Sequence, residues 1–122
     1  MAGMEIYMKM SEIASLLDAK VLCCEELIGH EVHSACGSDM MSDVLAYVKN
    51  QAVLLTGLVN PQVIRTAEMM DMRCIVFVRN KMPSPEMLEL AADASIVVLA
   101  TSMRMFEACG RLYSGGLMPQ EV

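Results

Sequence analysis

The chain has 122 residues and a mass of 13.4 kDa, which is typical of one compact domain; 55% of the residues are hydrophobic and 20% are charged. This composition excludes a disordered or fibrous chain. The longest aliphatic runs, such as residues 96–100, fall far below the roughly 20 apolar positions of a membrane-spanning helix. Nine basic against fifteen acidic residues give a formal charge of −6, which opposes the phosphate contacts of nucleic-acid binding.

The first half of the chain alternates helical and extended patterns. Ser11 can cap a helix with apolar positions at helical spacing, and residues 20–23 follow it as a short strand. Residues 30–36 alternate loosely and end at a glycine, as an extended segment does. Ser38 and Asp39 then precede an amphipathic helix, with acidic groups at its positive end.

The second half contains two tandem βα units and a third strand and helix. Three continuous apolar runs, suited to parallel strands buried on both faces, occupy residues 52–55, 74–78 and 95–100. Asn60-Pro61 and Ser84-Pro85 stand 24 residues apart, and each provides a helix cap and a first-turn proline. Ser102 can cap the last helix, which Gly115-Gly116 stops. The pattern predicts one domain over residues 1–122, a three-layer α/β/α fold with a mostly parallel sheet built from tandem βα units.

Ligands of open parallel sheets bind at the carboxyl ends of the strands. The loops expected there combine hydroxyls, two cations and helix amino termini, a set that can hold an anionic or phosphorylated small molecule. The candidate ligand-binding residues are Thr56, Gly57, Arg79, Asn80, Lys81, Thr101 and Ser102. The alternative is that the polar side chains only cap helices and that the two cations stay solvated.

The sequence predicts no catalytic residue. The turn that begins at Thr56-Gly57 lacks the lysine and second glycine of a P-loop. His30 and His33 stand three residues apart but have no identifiable third partner for metal binding or general-base catalysis, so two ordinary histidines are the expectation.

Five cysteines, an odd number with no pair at a two-residue gap, predict reduced thiols and no bound metal or other cofactor. Cys36, Cys74 and Cys109 fall on strand or helix positions that favour small buried thiols over nucleophiles. Residues 1–10 show no basic region followed by a long apolar stretch, so we expect a cytoplasmic protein with no membrane partner.

Fourteen methionines are unusual for this length and favour a pliable core or interface over copper binding, because no regular methionine repeat is present. So many apolar residues in a short chain predict exposed apolar surface in a monomer. A homodimer is the simplest expectation.

Residues 78–91 followed by residues 97–101 resemble the DRTGG domain, which is similar to the amino-terminal domain of HPr kinase/phosphorylase. Residues 54–57 and the Glu31-Val32 segment fit the same family in order, so the resemblance spans nearly the whole chain. The residues that name the family are altered: the Asp-Arg expected near Thr56-Gly57 is absent, and Thr-Gly-Gly is replaced near Arg79-Asn80.

The resemblance implies an α/β module usually fused to kinase-like, phosphotransacetylase or CBS partners, with no settled activity of its own. Standalone members resemble accessory proteins of anaerobic bacteria, some associated with iron hydrogenase genes. The fold of the HPr kinase relative is similar to the uridine-binding domain of muramyl ligases, and by this analogy alone the ligand could be a nucleotide.

Three functional hypotheses follow. The first is a non-enzymatic regulatory or assembly module, dimeric and sensing a small anionic metabolite or nucleotide, with an unidentified protein partner. The second is an enzyme that acts on a phosphorylated small molecule, with Arg79, Lys81 and Thr101 as binding groups. The third is a redox or metal accessory protein that uses Cys36 and His33. The lack of a positioned acid, base or nucleophile in the sequence favours the first.

Overall fold

The structure is a computed structural model and describes residues 7–47 and 52–119. Within these ranges the chain forms seven strands and five α-helices, with a 3-10 turn at Glu25–Leu27. In chain order they are β1 (Met8–Lys9), α1 (Met10–Leu16), β2 (Lys20–Cys23), β3 (Glu31–Val32), β4 (Ser34–Gly37), α2 (Met41–Tyr47), β5 (Ala52–Thr56), α3 (Pro61–Met69), β6 (Cys74–Phe77), α4 (Pro85–Asp93), β7 (Val97–Ala100) and α5 (Met105–Ser114).

The main sheet has five strands in the order β2-β7-β6-β5-β4. Strands β4 to β7 are parallel, so the predicted adjacent parallel pairing of the three apolar runs is confirmed. Strand β2 runs antiparallel to β7 and forms one edge of the sheet. Strands β1 and β3 form a separate two-stranded antiparallel sheet, in which Met8 pairs with Val32.

Both faces of the sheet are covered by helices, which confirms the three-layer α/β/α prediction. Alternate residues of β5 show the division: Val53 and Leu55 pack in the cluster with α1 and α5, whereas Leu54 packs in the cluster with α2, α3 and α4. Strand residues buried on both faces explain why these runs lack the polar alternation of a half-exposed sheet. Methionines contribute to this core, since Met10, Met72 and Met87 are almost fully buried.

The two helices of the tandem repeat begin as predicted. The Asn60 side chain accepts a hydrogen bond from the Gln62 amide at 2.8 Å, and the Ser84 hydroxyl accepts one from the Met87 amide at 3.2 Å. In both helices a proline occupies the first turn, where no hydrogen-bond donor is needed.

Two helix starts differ from the sequence prediction. Helix α1 begins at Met10, before Ser11, and the Lys9 amide donates to the Glu12 carboxylate at 3.1 Å. Helix α5 begins at Met105 and is not capped by Ser102, because a turn closed by the preceding threonine separates the strand from the helix.

Two strand predictions also need correction. The run from residue 95 enters the sheet only at Val97, because Ser95 has a left-handed backbone with φ of 58° that ends the preceding helix. The extended segment over residues 30–36 divides into β3 and β4, which belong to different sheets. Among the described residues, each helix is too short or too polar to cross a membrane.

Candidate functional site at the carboxyl edge of the sheet

The four loops that follow β4, β5, β6 and β7 lie side by side, as the parallel topology predicts. Backbone hydrogen bonds join them in sequence along the edge. The Ser38 amide donates to the Leu55 carbonyl at 3.0 Å, the Val78 amide to the Thr56 carbonyl at 3.0 Å, and the Arg79 amide to the Met103 carbonyl at 2.8 Å. We call this surface the carboxyl-edge site, and it contains the seven predicted ligand-binding residues.

The centre of the carboxyl-edge site is a carboxylate held by two hydrogen-bond donors and a nearby cation. Asp39 Oδ1 accepts from the Gly57 amide at 2.7 Å and from the Thr56 hydroxyl at 2.9 Å. The Arg79 guanidinium lies 3.9 Å from Asp39 Oδ2, and both side chains are about half exposed. The edge therefore already holds one anion, which belongs to the chain itself.

These contacts favour the charged form of Asp39. The Gly57 amide has the largest effect on the Asp39 pKa and lowers it; partial burial opposes this, while the Thr56 hydroxyl and the Arg79 charge lower the pKa further. Asp39 is consequently an ionised acceptor at neutral pH and a poor proton donor.

Gly57 allows the arginine to lie across the edge. A Cβ at this position would overlap the Arg79 guanidinium, so any larger residue would displace that group from Asp39. The absence of a side chain at Gly57 therefore fixes where the cation lies.

Arg79 and Asn80 both have left-handed backbones, with φ of 60° and 59°. Such conformations cost non-glycine residues on the order of 1–3 kcal/mol and persist only where surrounding structure holds them. Here the Asn80 amide donates to the Thr101 carbonyl at 3.1 Å, and the Lys81 amide donates to the Val78 carbonyl at 3.1 Å. The turn leaves Asn80 and Lys81 exposed, and their side chains make no hydrogen bond or ion pair with the described residues.

The two threonines have internal partners. Thr101 is buried, donates to the Leu17 carbonyl at 2.6 Å and accepts from the Met103 amide at 3.1 Å. The buried Thr56 hydroxyl likewise donates to Asp39 and accepts from the Leu58 amide at 3.1 Å. Of the predicted set, Arg79, Asn80, Lys81 and Ser102 are exposed, while the threonines shape the loops beneath them.

Asp39 is the residue that the sequence-based site did not include. The sequence predicts the loop Gly37-Ser38-Asp39 at the same edge as Thr56-Gly57, which places a carboxylate near those donors. The contact itself depends on how the side chain crosses from one loop to the next, and no local pattern encodes that crossing.

The histidines and thiols lie outside this site. His30 and His33 line a cavity at the opposite, amino edge of the sheet. Within residues 7–47 and 52–119, no three His, Cys, Asp or Glu side chains are grouped closely enough to hold a metal ion.

The cysteines are free thiols. The Cys23 and Cys24 sulfurs lie 3.4 Å apart, well beyond the roughly 2.05 Å of a disulfide bond. Burial raises the pKa of Cys74 to about 12, and burial followed by the hydrogen bond with Cys24 raises that of Cys23 to about 12. Neither is a thiolate nucleophile at neutral pH.

The fold and its carboxyl edge define a class: α/β domains with an open, mostly parallel sheet and polar loops at the strand ends. Within that class the chain belongs to the DRTGG domain family, which it matches over residues 12–114. No curated protein matches the chain.

A solved structure shares this fold. It is the crystal structure of the CBS and DRTGG domains of the regulatory region of Clostridium perfringens pyrophosphatase, complexed with its activator diadenosine tetraphosphate. The match has a TM-score of 0.71 and 17% sequence identity, and it covers 85% of this chain and 45% of that chain. The chain thus spans a little under half of that regulatory region.

Proposed function

We propose that this chain is a non-enzymatic regulatory or assembly module that senses a small anionic or phosphorylated ligand at the carboxyl-edge site. The observation that carries the proposal is the carboxylate of Asp39, held there by the Gly57 amide, the Thr56 hydroxyl and the Arg79 guanidinium. Asp39 occupies the Gly57 and Thr56 donors, so the half-exposed Arg79 guanidinium beside it is the group of this cluster left to bind a ligand anion.

Arg79 and Lys81 are the groups proposed to attract the ligand. The Arg79 guanidinium is 47% exposed and only 3.9 Å from one carboxylate oxygen, so it can contact a ligand while it remains beside Asp39. The exposed Asn80 and Lys81 in the same loop and Ser102 in the next extend this polar surface. The two cations offset the repulsion between an anionic ligand and a chain of charge −6.

The state of Asp39 supports a non-enzymatic role. Its pKa is lowered chiefly by the Gly57 amide, and a carboxylate in that state is both a weak base and a poor acid at neutral pH. Sensing needs only differential binding, which the exposed cations can supply.

The structural neighbour supports a regulatory role and a nucleotide-like ligand. That protein's DRTGG domain belongs to a pyrophosphatase regulatory region complexed with the activator diadenosine tetraphosphate. We extend this to the present chain as a proposal, with a phosphorylated metabolite or nucleotide as the ligand class.

We further propose that the module is a single-domain homodimer in the cytoplasm. Met40, Met82 and Phe106, each from a loop or helix start at the carboxyl edge, are 60%, 57% and 92% exposed. Methionine and aromatic side chains around an arginine form a composition enriched in protein interfaces. A second copy at this edge would place the ligand beside the interface.

The ligand site is tested by thermal unfolding in the presence of phosphorylated metabolites and nucleotides, including diadenosine tetraphosphate. Stabilisation of the wild type is expected, because a ligand that binds only the folded state raises its stability. The double variant Arg79→Ala/Lys81→Ala should lose this stabilisation and keep nearly the same melting temperature without ligand.

Arg65→Ala/Arg111→Ala is the matched control, because it removes the same charge from exposed helix positions, in α3 and near the end of α5, away from the loops of the carboxyl edge. Asp39→Asn should bind the same ligand more tightly, since it removes the carboxylate that competes for Arg79. Equal stabilisation of the wild type and the Arg79/Lys81 variant would show that these loops only cap helices.

A further inference from the structure

A cavity of about 260 Å³ opens at the amino edge of the sheet, at the far end of the strands from the carboxyl-edge site. Its walls come from separate parts of the chain: Met10 in α1, His30 and His33 around β3, Arg73 before β6, and Ser95 before β7. We call it the amino-edge cavity. Nothing in the proposed function uses it.

Three polar side chains of the amino-edge cavity have no protein partner among the described residues. In the described part of the chain, the imidazoles of His30 and His33 and the hydroxyl of Ser95 make no hydrogen bond to protein. The His33 ring is fixed in place, because it stacks on Tyr7 with 4.0 Å between ring centroids and 17° between planes. The two imidazoles and the Ser95 hydroxyl therefore line one space and are available to a ligand.

Arg73 supplies the permanent positive charge. Its Nε donates to Asp71 at 3.3 Å, and this is its one ion pair among the described residues. Both terminal nitrogens are left available, and a guanidinium uses those two nitrogens to bind phosphate oxygens in pairs.

The rest of the lining indicates what else the ligand carries. The partly exposed Leu27 gives the cavity an apolar side, backed by the buried Met10 and Val97, and Glu31 places a carboxylate at the same cavity. A short carbon skeleton can lie against Leu27, and a ligand hydroxyl can donate to Glu31. The volume falls below the roughly 300–1,000 Å³ of pockets for drug-sized ligands. The ligand is accordingly small.

We propose that the amino-edge cavity is a second binding site, for a small hydroxylated phosphomonoester whose phosphate contacts Arg73, His30 and His33. Arg73 and the two imidazoles face the phosphate, Ser95 adds a hydroxyl donor, and Glu31 accepts from the ligand hydroxyl. This site is separate from the carboxyl edge and does not depend on the proposed function there.

Nuclear magnetic resonance titration tests the proposal with glycerol 3-phosphate, inorganic phosphate and glycerol as probes. Glycerol 3-phosphate should produce saturable shifts at His30, His33 and Arg73, inorganic phosphate should bind more weakly, and glycerol should produce no shift. Absence of saturation, or shifts centred on Gly57 and Arg79, would overturn the proposal.

Variants give a second test. Arg73→Ala should weaken binding of glycerol 3-phosphate at least tenfold, whereas the matched exposed-arginine control Arg65→Ala should stay within twofold of wild type. Asp71→Asn should strengthen binding, because it removes the carboxylate that competes for Arg73; asparagine also tolerates the positive φ of 55° at this position.

His30→Ala should also weaken binding of glycerol 3-phosphate. Because His30 is exposed, this variant provides the test if Arg73→Ala fails to fold. Equal losses in the Arg73 and Arg65 variants, or unchanged or weaker binding in Asp71→Asn, would contradict the assignment. Arg79→Ala/Lys81→Ala should leave this binding intact, which separates the cavity from the carboxyl-edge site.

Discussion

The Asp39 carboxylate makes part of the stability dependent on pH. Its pKa lies below the ordinary value of 3.8, chiefly because the Gly57 amide donates to it, so the folded chain binds this proton less tightly than the unfolded chain. A lowered pKa gives stability that is present above the unfolded value and lost as pH falls through the folded value. Asp39→Asn keeps the shape and the acceptor oxygen but removes the charge.

We expect Asp39→Asn to lower the free energy of unfolding by about 1 kcal/mol at pH 7, a modest amount because the side chain is half exposed. Below roughly pH 4 the difference from wild type should shrink as the wild-type carboxylate becomes protonated. Urea unfolding at a series of pH values measures both quantities. A difference that is constant down to pH 3 would contradict this assignment.

Thr101 and Ser102 are adjacent, but Thr101 makes buried hydrogen bonds and Ser102 is exposed. Thr101→Val removes a buried hydroxyl that donates to Leu17 and accepts from Met103, and it leaves both backbone groups unsatisfied. The expected loss is about 1–3 kcal/mol of unfolding free energy. Ser102→Ala, at an exposed neighbour, should change it by no more than about 0.5 kcal/mol. Comparable losses in the two urea curves would show that Thr101 has no such role.

At the scale of the element, the loop after β5 controls where the arginine of the next loop lies. Gly57→Ala would push the Arg79 guanidinium away from Asp39, and the cost to the fold is small because the displaced group is the end of a flexible side chain. The melting temperature should fall only slightly, and stabilisation by a carboxyl-edge ligand should be lost.

Gly110→Ala is the control for this substitution. A Cβ at Gly110, within α5, meets no atom within 4 Å, so this variant should gain about 0.5–1 kcal/mol from helix propensity. Its ligand response should equal that of the wild type. A normal ligand response in Gly57→Ala would show that ligand binding does not require the Arg79 guanidinium to lie over Gly57.

The elements that the sequence predicts well are those with local signals. Strands β5 and β6 are continuous apolar runs. The helices that follow them have a cap residue and a first-turn proline, Asn60-Pro61 and Ser84-Pro85, which mark where each helix begins. The antiparallel direction of β2 and the pairing of β1 with β3 have no such signal, because both depend on partners distant in the chain.

The same distinction applies to the carboxyl-edge site. Topology predicts which loops meet, and the structure brings Thr56, Arg79 and Thr101 to one edge. Which of their atoms are already engaged depends on side-chain contacts across loops, such as Thr101 with Leu17. The sequence therefore predicts the position of the site better than the availability of its donors.

At the scale of the whole molecule, the location of the proposed dimer interface can be tested with a pair of methionines. Met82, at the carboxyl edge, and Met69, at the end of α3, are 57% and 73% exposed. A charge buried without a partner at an interface is strongly unfavourable, so Met82→Glu should give a monomer. Met69→Glu should remain dimeric, because it lies away from the carboxyl edge. Sedimentation analysis distinguishes the two.

Sedimentation of the wild type as a monomer of 13.4 kDa at tens of micromolar, a generous concentration for a stable homodimer, would contradict self-association. A dimer disrupted by Met69→Glu and not by Met82→Glu would move the interface away from the ligand site.

The antiparallel edge strand β2 is expected to open locally before the central strands of the sheet. Among the described strands β2 pairs with β7 alone, with Lys20 opposite Ala100, so its contacts close a loop that contains most of the chain. Closing such a long loop costs conformational entropy, and β2 lies at the edge of the sheet. Strand β2 should therefore detach before the central β6 does. Its hydrogen-bonded amides should therefore exchange with deuterium faster than those of β6. Because Thr101 donates to the Leu17 carbonyl just before β2, a ligand at the carboxyl edge should slow that exchange, and the edge strand would report occupancy of the site.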